Sequence, residues 1–187
     1  NGDSIKKYLI TSPSLYTSEP SLFVQRLTKQ CLKHQPDSIL YRDKNNKNYN
    51  ALAHDFIKVC NTFSGVKSFL HQKVDIAKEL GATGVHLTSK QFDEISYAKS
   101  LGLEVIISTH TREEILLAEE LDANAVTYSP IFFSPDKGTP KGIEDLQTVV
   151  QNSRINIYAL GGIIDEEQVQ YIKKAKAYGF ASIRYFH

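Results

Sequence analysis

Short apolar runs alternate with longer amphipathic stretches along the whole chain. The apolar runs are four or five residues long and are bounded by polar or glycine residues, which is typical of parallel strands buried on both faces. Eight of these runs are predicted to be strands: Lys6–Ile10, Ser38–Tyr41, Val66–Leu70, Gly84–Leu87, Glu104–Ser108, Ala125–Tyr128, Ile155–Ala159 and Gly179–Ile183.

Helices are predicted between consecutive strands. Thr111 and Asp165 each stand three residues before a Glu or a Gln, which is the spacing of a capping box. Ser18 precedes Glu19-Pro20 and is predicted to cap the first helix. The predicted helices are Pro20–Lys33, Tyr49–Asn61, Val74–Leu80, Phe92–Leu101, Arg112–Leu121, Ile143–Gln151 and Glu166–Ala175.

Eight strands joined only by strand–helix–strand connections predict a parallel sheet. An open doubly wound sheet also satisfies this alternation, but eight tilted strands favour closure because their own side chains fill the barrel. The predicted fold class is a minimal α/β parallel (β/α)8 TIM barrel that spans residues 1–187 as a single domain, with the final helix absent or truncated. The surface that this helix would cover must be protected by neighbouring segments, by the N-terminal segment or by a second copy of the chain, and self-association into a homo-oligomer is the hypothesis drawn from this.

The composition indicates which classes of partner are not expected. The formal net charge is +1, which predicts no general affinity for nucleic acid or for a membrane. No apolar run approaches the roughly 20 residues that cross a bilayer, and the polar residues 1–4 do not resemble a signal peptide. Cys31 and Cys60 show no metal-binding or CxxC spacing, so they are expected to be free thiols in a reducing cytoplasm.

In such barrels the active site is built by the loops that follow the strands. After the second strand, Arg42 and Lys44 supply cations that can hold a phosphate or a pyrophosphate. The alternative is a solvated turn in which Arg42 pairs with Asp43. After the fifth strand, Ser108 and His110 offer a hydroxyl and an imidazole, although His110 can equally help to cap the next helix.

Two further loops are candidates for binding phosphate. The stretch 129–142 contains three prolines, two glycines and two lysines, and it is predicted to be a lid or a binding loop. Gly161 and Gly162 follow the seventh strand and precede a capped helix, where free amides attract an anion. Arg184 follows the last strand and either closes the same pocket or is a surface charge. His86, inside the fourth strand, is predicted to be a partly buried, hydrogen-bonded structural residue.

Together these motifs resemble the thiamin phosphate synthase superfamily, which includes the TenI proteins, over nearly the whole chain. The resemblance rests on the segments 41–44, 73–77, 84–87, 108–111, 129–132 with Lys137, 161–163 and 179–181. It implies a barrel that acts on thiamin precursors. By position, the family's diphosphate-binding cations correspond to Arg42, Lys44 and Lys137, its strand-five and loop hydroxyls to Ser108 and Ser134, and its thiazole-phosphate cradle to Gly161-Gly162.

The chain departs from the synthase pattern at the magnesium ligands. The family's Asn-Asp pair is replaced here by His71-Gln72, and its second aspartate by Gln91. Neutral amides are poor substitutes because Mg²⁺ prefers anionic oxygen donors. The pyrimidine-side glutamine is also replaced, by Leu40. No metal site and no cofactor are therefore expected, and Mg²⁺ is required only if the chain is a synthase.

TenI proteins share the barrel and lack the magnesium aspartates. Some of them are tautomerases that isomerise a thiazole carboxylate phosphate with a histidine in the loop after strand six, where this chain has Pro130. An isomerase would need another base, and His71 and His110 are the candidates because both are predicted at strand ends.

Three functional hypotheses follow, all with small phosphorylated thiazole or pyrimidine ligands. The chain is a TenI-like protein that binds a thiazole phosphate and isomerises it; or a divergent thiamin phosphate synthase, that is, a transferase; or a catalytically silent barrel that binds a phosphorylated ligand in a regulatory role.

Overall fold

A computed structural model describes residues 4–187. Residues 1–3 lie outside the described residues, and they belong to the polar segment that is predicted not to be a signal peptide. Eight parallel strands form a closed barrel in which each strand pairs with the next and β1 pairs with β8. The predicted TIM-barrel fold is therefore confirmed. The strands are β1 (Lys6–Ile10), β2 (Ser38–Tyr41), β3 (Lys67–His71), β4 (Gly84–Leu87), β5 (Glu104–Thr109), β6 (Ala125–Tyr128), β7 (Asn156–Leu160) and β8 (Gly179–Ser182).

Helices surround the barrel. They are α1 (Pro13–Tyr16), α2 (Pro20–His34), α3 (Tyr49–Asn61), α4 (Val74–Leu80), α5 (Ile95–Ser100), α6 (Arg112–Glu120), α7 (Gly142–Gln151) and α8 (Glu166–Lys174), with 3₁₀ turns at Phe92–Glu94 and Arg184–Phe186. The one-turn helix α1 was not predicted, because a four-residue segment shows no helical periodicity. It forms because the Ser12 hydroxyl accepts a hydrogen bond from the Leu15 amide.

β3 begins and ends one residue later than the sequence predicts. The Val66 amide still donates to the Phe63 carbonyl, as part of the preceding turn, whereas the Lys67 amide donates to Asp37 and joins the sheet. His71 therefore becomes the last residue of β3. This one-residue shift places the His71 side chain at the carboxyl end of the barrel.

The apolar side chains form two layers, as the alternation of side chains along each strand requires. One layer packs between the strands and the helices and contains most of the buried residues. The other fills the barrel interior with Tyr8, Ile10, Leu40, Phe69, Ile106, Ala125, Tyr158 and Ala181. The interior is thus filled partly by aromatic residues that carry hydroxyl groups.

Thr111 and Asp165 are confirmed as N-caps, but of their two helices only α8 has a full capping box, because the Glu114 carboxylate of α6 accepts the His110 amide instead of the Thr111 amide. Thr111 accepts the Glu114 amide at 3.1 Å, and Asp165 forms the predicted capping box with Gln168. The α2 cap is Glu19, whose carboxylate accepts the amides of Ser21 and Leu22. The prediction that Ser18 caps α2 is therefore wrong.

Aromatic residues of the 3₁₀ turn that follows β8 pack against this strand. Within residues 4–187, this turn is the element that follows β8. The rings of Tyr185 and Phe186 lie 4.9 and 5.5 Å from the ring of Phe180 on β8, and Phe186 is fully buried. Since these rings cover the outer side of Phe180, its shielding does not require a second copy of the chain, and the homo-oligomer stays a prediction.

Two features bear on the environment of the chain. Among the residues that the structure describes, no helix combines the length and the apolar character needed to cross a membrane. Cys31 and Cys60 are both buried, and neither forms a disulfide.

We predict that Phe186→Ala lowers the free energy of unfolding by about 3–5 kcal/mol, because it removes a fully buried ring and leaves a cavity beside Phe180. Urea denaturation followed by circular dichroism measures the change. The matched control is Phe133→Ala, whose ring is 72% exposed and whose loss is expected to be about 0.5 kcal/mol or less. Equal effects of the two substitutions would contradict the covering role of Phe186.

Candidate active site at the carboxyl ends of the strands

Arg42 follows β2 and keeps its positive charge free. Among residues 4–187 no carboxylate forms an ion pair with its guanidinium group. Its neighbour Asp43 is buried and accepts hydrogen bonds from the Ser18 hydroxyl at 2.9 Å and from the Asn46 amide at 3.2 Å. The alternative in which Arg42 pairs with Asp43 is therefore wrong, and the guanidinium group is available to an anion.

Two histidines lie side by side next to this charge. His71 of β3 and His86 of β4 are partners in register, their ring centroids are 6.2 Å apart, and both side chains are buried. Burial lowers the pKa of His71 to about 4, with added repulsion from Arg42 and Lys44. Burial lowers the pKa of His86 to about 3, with added repulsion from His71 and Arg42. Both imidazoles are therefore neutral at pH 7.

Ser108 is bonded to this histidine pair. The Ser108 hydroxyl on β5 lies 2.9 Å from Nε2 of His86, and the Tyr8 hydroxyl lies 2.7 Å from Nδ1 of the same ring. The predicted hydrogen-bonded role of His86 is confirmed, but its ring is buried rather than partly buried. The sequence prediction did not connect His86 with Ser108, although both lie on adjacent strands.

His110 lies against the loop that follows β6. Its backbone amide donates to the Glu114 carboxylate at 2.7 Å, so the backbone of His110 does help to begin α6. The imidazole is exposed, and its Nδ1 lies 3.3 Å from both the carbonyl oxygen and the hydroxyl of Ser129. The ring is therefore adjacent to the residue that precedes Pro130.

The loop after β6 is fixed at its base and exposed at its tip. At its base, the Ile131 amide donates to the Leu160 carbonyl at 2.9 Å, and the Phe132 amide donates to the Gly161 carbonyl at 3.0 Å. At its tip, Ser134 is half-buried and Lys137 is exposed. In the described part of the chain, neither of these two side chains forms a hydrogen bond or an ion pair with Arg42 or with His71.

Gly161 and Gly162 have positive φ angles of 112° and 68°. A Cβ atom on Gly161 would lie 2.7 Å from Cα of Pro130, and one on Gly162 would overlap the carbonyl oxygen of Phe133. Glycine is therefore required here because the β6 loop packs directly on the backbone, whatever these residues bind. Arg184, in the 3₁₀ turn after β8, is exposed.

The residues at the family's magnesium positions do not fit a magnesium ion. The side-chain amide of Gln91 donates to the Gln72 carbonyl at 3.2 Å and to the Glu94 carboxylate at 2.8 Å, and its oxygen accepts the Thr88 amide at 3.0 Å. Gln91 is thus fully engaged in holding the loop. Within residues 4–187, no three His, Cys, Asp or Glu side chains lie close enough to hold a metal. Mg²⁺ binds anionic oxygens, and this position offers two neutral amides and one carboxylate.

Comparison with known proteins gives one consistent family. A family model described as thiamine monophosphate synthase matches residues 7–186. A putative thiamine-phosphate synthase 2 of Aquifex aeolicus (strain VF5) is 36% identical over 121 residues, which cover 63% of this chain and 64% of that protein. The thiamine-phosphate synthase of Syntrophomonas wolfei subsp. wolfei is 28% identical over 94% of this chain and 85% of its own length. The chain thus spans less than two thirds of the Aquifex protein.

The fold is shared with solved structures. The thiamine phosphate pyrophosphorylase from Pyrococcus furiosus superposes with a TM-score of 0.80 at 24% identity, over 98% of this chain and 88% of that chain. At this identity the similarity shows the fold alone.

We predict that acid destabilises the protein through His86. The pKa of His86 is lowered to about 3 in the folded state, while an unfolded histidine titrates near 6.5, so the unfolded state binds the proton first as the pH falls. The contribution of neutral His86 to the free energy of unfolding is therefore fully present above pH 6.5 and is lost as the pH falls toward 3. The loss is at most about 1.4 kcal/mol per pH unit, because one proton is involved. His86→Gln should flatten this slope between pH 6.5 and 4 in urea denaturation, whereas His54→Gln, at an exposed position of α3, should not.

We also predict that Gly162→Ala is more destabilising than Gly138→Ala. Both glycines have positive φ, but a Cβ on Gly138 meets nothing within 4 Å, whereas one on Gly162 overlaps the β6 loop. The difference in the free energy of unfolding should be about 1–3 kcal/mol, the usual cost of overpacking. Equal losses would show that the close approach of the loop is not what requires Gly162.

Proposed function

The chain belongs to the thiamine monophosphate synthase family, and we propose that it binds a phosphorylated thiazole at the carboxyl ends of its strands and isomerises it without a metal, as some TenI proteins do. The observation that carries the proposal is the engagement of Gln91, at a magnesium position of the synthases, in hydrogen bonds to its own loop at Thr88 and Glu94 and to the backbone of Gln72 in the turn after β3.

The same observation argues against the synthase reaction. In that reaction a diphosphate group leaves the pyrimidine, and Mg²⁺ stabilises the negative charge that develops on it. Gln72 and Gln91 supply no anionic oxygen that would hold the ion. The second candidate is a divergent synthase, in which more of the diphosphate charge is carried by Arg42, Lys44, Lys47 and Lys137.

A phosphate needs cations and amide donors, and the chain supplies them around the mouth of the barrel. Arg42 has no carboxylate partner among the described residues, and Lys44 is close enough to His71 to disfavour its protonation. Ser108 offers a hydroxyl group. In this proposal Lys137 and Ser134 reach the ligand from the loop after β6, while Gly161, Gly162 and Arg184 hold its phosphate.

His110 is the proposed proton carrier. The histidine of the tautomerases lies in the loop after strand six, and the imidazole of His110 lies beside that loop at Ser129. When Nδ1–H donates to the Ser129 carbonyl, Nε2 keeps its lone pair and can act as a base. The base takes a proton from one ring position of the thiazole and returns it to another, so the reaction is balanced without a cofactor.

His71 is the less suitable base. Its side chain is buried, and its pKa is lowered to about 4, so it is neutral at pH 7 but holds a proton weakly once it has accepted one. Its position beside Arg42 fits a role in ligand binding better than one in proton transfer.

The test is isomerisation of a thiazole carboxylate phosphate by the purified protein, followed by NMR. We expect turnover in the presence of EDTA, and we expect His110→Ala to lower kcat by about 100-fold or more, which is the usual contribution of a general base. His71→Ala should raise KM more than it lowers kcat. His54→Ala, at an exposed position of α3, is the control for substitution of a histidine.

A parallel assay supplies both synthase substrates with Mg²⁺ or with EDTA. Magnesium-dependent formation of thiamin phosphate would overturn the proposal in favour of the synthase. Tight binding of the thiazole phosphate with no turnover would overturn the isomerase proposal and support the third hypothesis, a catalytically silent barrel that binds a phosphorylated ligand.

A further inference from the structure

Three hydrogen-bonded side chains cross the barrel interior. The Tyr8 hydroxyl on β1 lies 2.7 Å from Nδ1 of His86 on β4, and Nε2 of His86 lies 2.9 Å from the Ser108 hydroxyl on β5. Tyr8 and His86 are buried, whereas Ser108 is half-buried near the carboxyl end of its strand. The proposed function uses Ser108 and gives no role to the two residues behind it.

The Tyr8 hydroxyl determines which atom is the donor in the hydrogen bond to His86. Among residues 4–187 its only hydrogen-bond partner is Nδ1 of His86. If Nδ1 carried the hydrogen, the phenolic O–H would be a buried donor without an acceptor, which is unfavourable by about 1–3 kcal/mol. The Tyr8 O–H therefore donates to Nδ1.

The tautomer of His86 in turn determines which atom is the donor in its hydrogen bond with Ser108. A neutral imidazole has one N–H and one lone pair, so an accepting Nδ1 places the hydrogen on Nε2. His86 is neutral because burial lowers its pKa to about 3. The Nε2–H group therefore donates to the Ser108 oxygen.

The Ser108 hydrogen is then left for the ligand. One lone pair of the hydroxyl oxygen accepts the His86 N–H, so the O–H hydrogen is not used by His86, which is the only side-chain partner of Ser108 within the described residues. Ser108 stands on β5, which is adjacent to the His86 strand and ends at the mouth where Arg42 and His71 lie. Its O–H group can therefore donate to an atom in that mouth.

We propose that Tyr8 and His86 are positioning residues that hold the Ser108 hydroxyl as a hydrogen-bond donor to an anionic oxygen of the bound ligand. The inference rests on the proposed function in one respect, namely that the ligand lies at the carboxyl ends of the strands. In the opposite tautomer, Ser108 would donate to Nε2 and could only accept from the ligand, which an anionic oxygen does not permit.

The first test needs no ligand. Long-range ¹⁵N–¹H NMR of the wild-type protein at pH 7 distinguishes the two tautomers of His86. A hydrogen on Nε2 is expected, and a hydrogen on Nδ1 would overturn the proposal. The assignment of the His86 signals uses the His86→Gln variant, in which they are absent.

The second test is a double-mutant cycle on ligand affinity, measured by calorimetry with a thiazole phosphate and with a thiazole carboxylate phosphate. Ser108→Ala is expected to weaken binding by about 5- to 20-fold, and Tyr8→Phe by about 3- to 10-fold. Tyr8→Phe should have no further effect in the Ser108→Ala background, because it acts through that hydroxyl. Weakening with both ligands identifies a phosphate oxygen as the acceptor, and weakening only with the second identifies the carboxylate.

The control removes a different hydroxyl from the same interior. Tyr158→Phe changes a buried tyrosine whose ring lies 5.1 Å from that of Tyr8 but which is not bonded to His86, and it should leave affinity unchanged. Equal weakening by Tyr8→Phe in both backgrounds would show a merely structural role and overturn the proposal. A wild-type protein that binds neither ligand would overturn the proposed function and, with it, the assignment of a ligand oxygen to Ser108, whereas the tautomer of His86 would still confirm or overturn the direction of the bonds from Tyr8 to Ser108.

Discussion

A closed parallel barrel of eight strands has to fill its interior with its own side chains, and the rest of this structure depends on how that is done. Here the filling is partly aromatic: the Tyr8 ring lies 5.9 Å from Phe69, 5.1 Å from Tyr158 and 5.8 Å from His86. Large rings fill the space that aliphatic residues often fill in such barrels. They also bring polar atoms into a region from which water is excluded, and each of those atoms needs a partner.

That requirement couples the core of the barrel to its mouth. Because the Tyr8 hydroxyl is buried, it is satisfied by His86, and His86 in turn bonds to Ser108, which is only half-buried. A hydrogen bond made for stability therefore determines which hydrogen bonds Ser108 can offer. The same burial keeps both His71 and His86 neutral, so neither adds a second positive charge beside Arg42.

Much of the fold could be predicted from the sequence, because its signals are local. The apolar runs gave all eight strands, and the Thr111 and Asp165 caps lie where their spacing indicates. Strand ends were less certain: His71 belongs to β3 because the Lys67 amide bonds to Asp37, thirty residues away along the chain. That contact has no signature in the residues around position 67.

For the candidate site, the sequence proposes a list of residues but does not predict their hydrogen-bond partners. Residue types gave Arg42, Ser108 and His110, since cations, hydroxyls and imidazoles at strand ends are typical of phosphate sites. Sequence proximity, however, suggested that Arg42 pairs with Asp43, and the structure turns Asp43 toward Ser18 instead. Likewise, the sequence analysis offers helix capping or ligand contact as alternative roles for His110. The backbone amide of His110 contacts α6, whereas its ring contacts Ser129, so the two roles involve different atoms of the residue.

The positive charge at the mouth of the barrel bears on whether an anion could be held there without a metal. In a site that holds Mg²⁺, carboxylates bind the ion and the ion neutralises the phosphate, so protein cations are needed only in part. Here Gln72 and Gln91 replace the family's aspartates, and Asp43, the acidic residue next to Arg42, is turned away into a buried network. Among residues 4–187, no carboxylate forms an ion pair with Arg42. In the proposed function, the phosphate of the ligand binds beside this charge and neutralises it directly, which is the electrostatic argument for a ligand held without a metal.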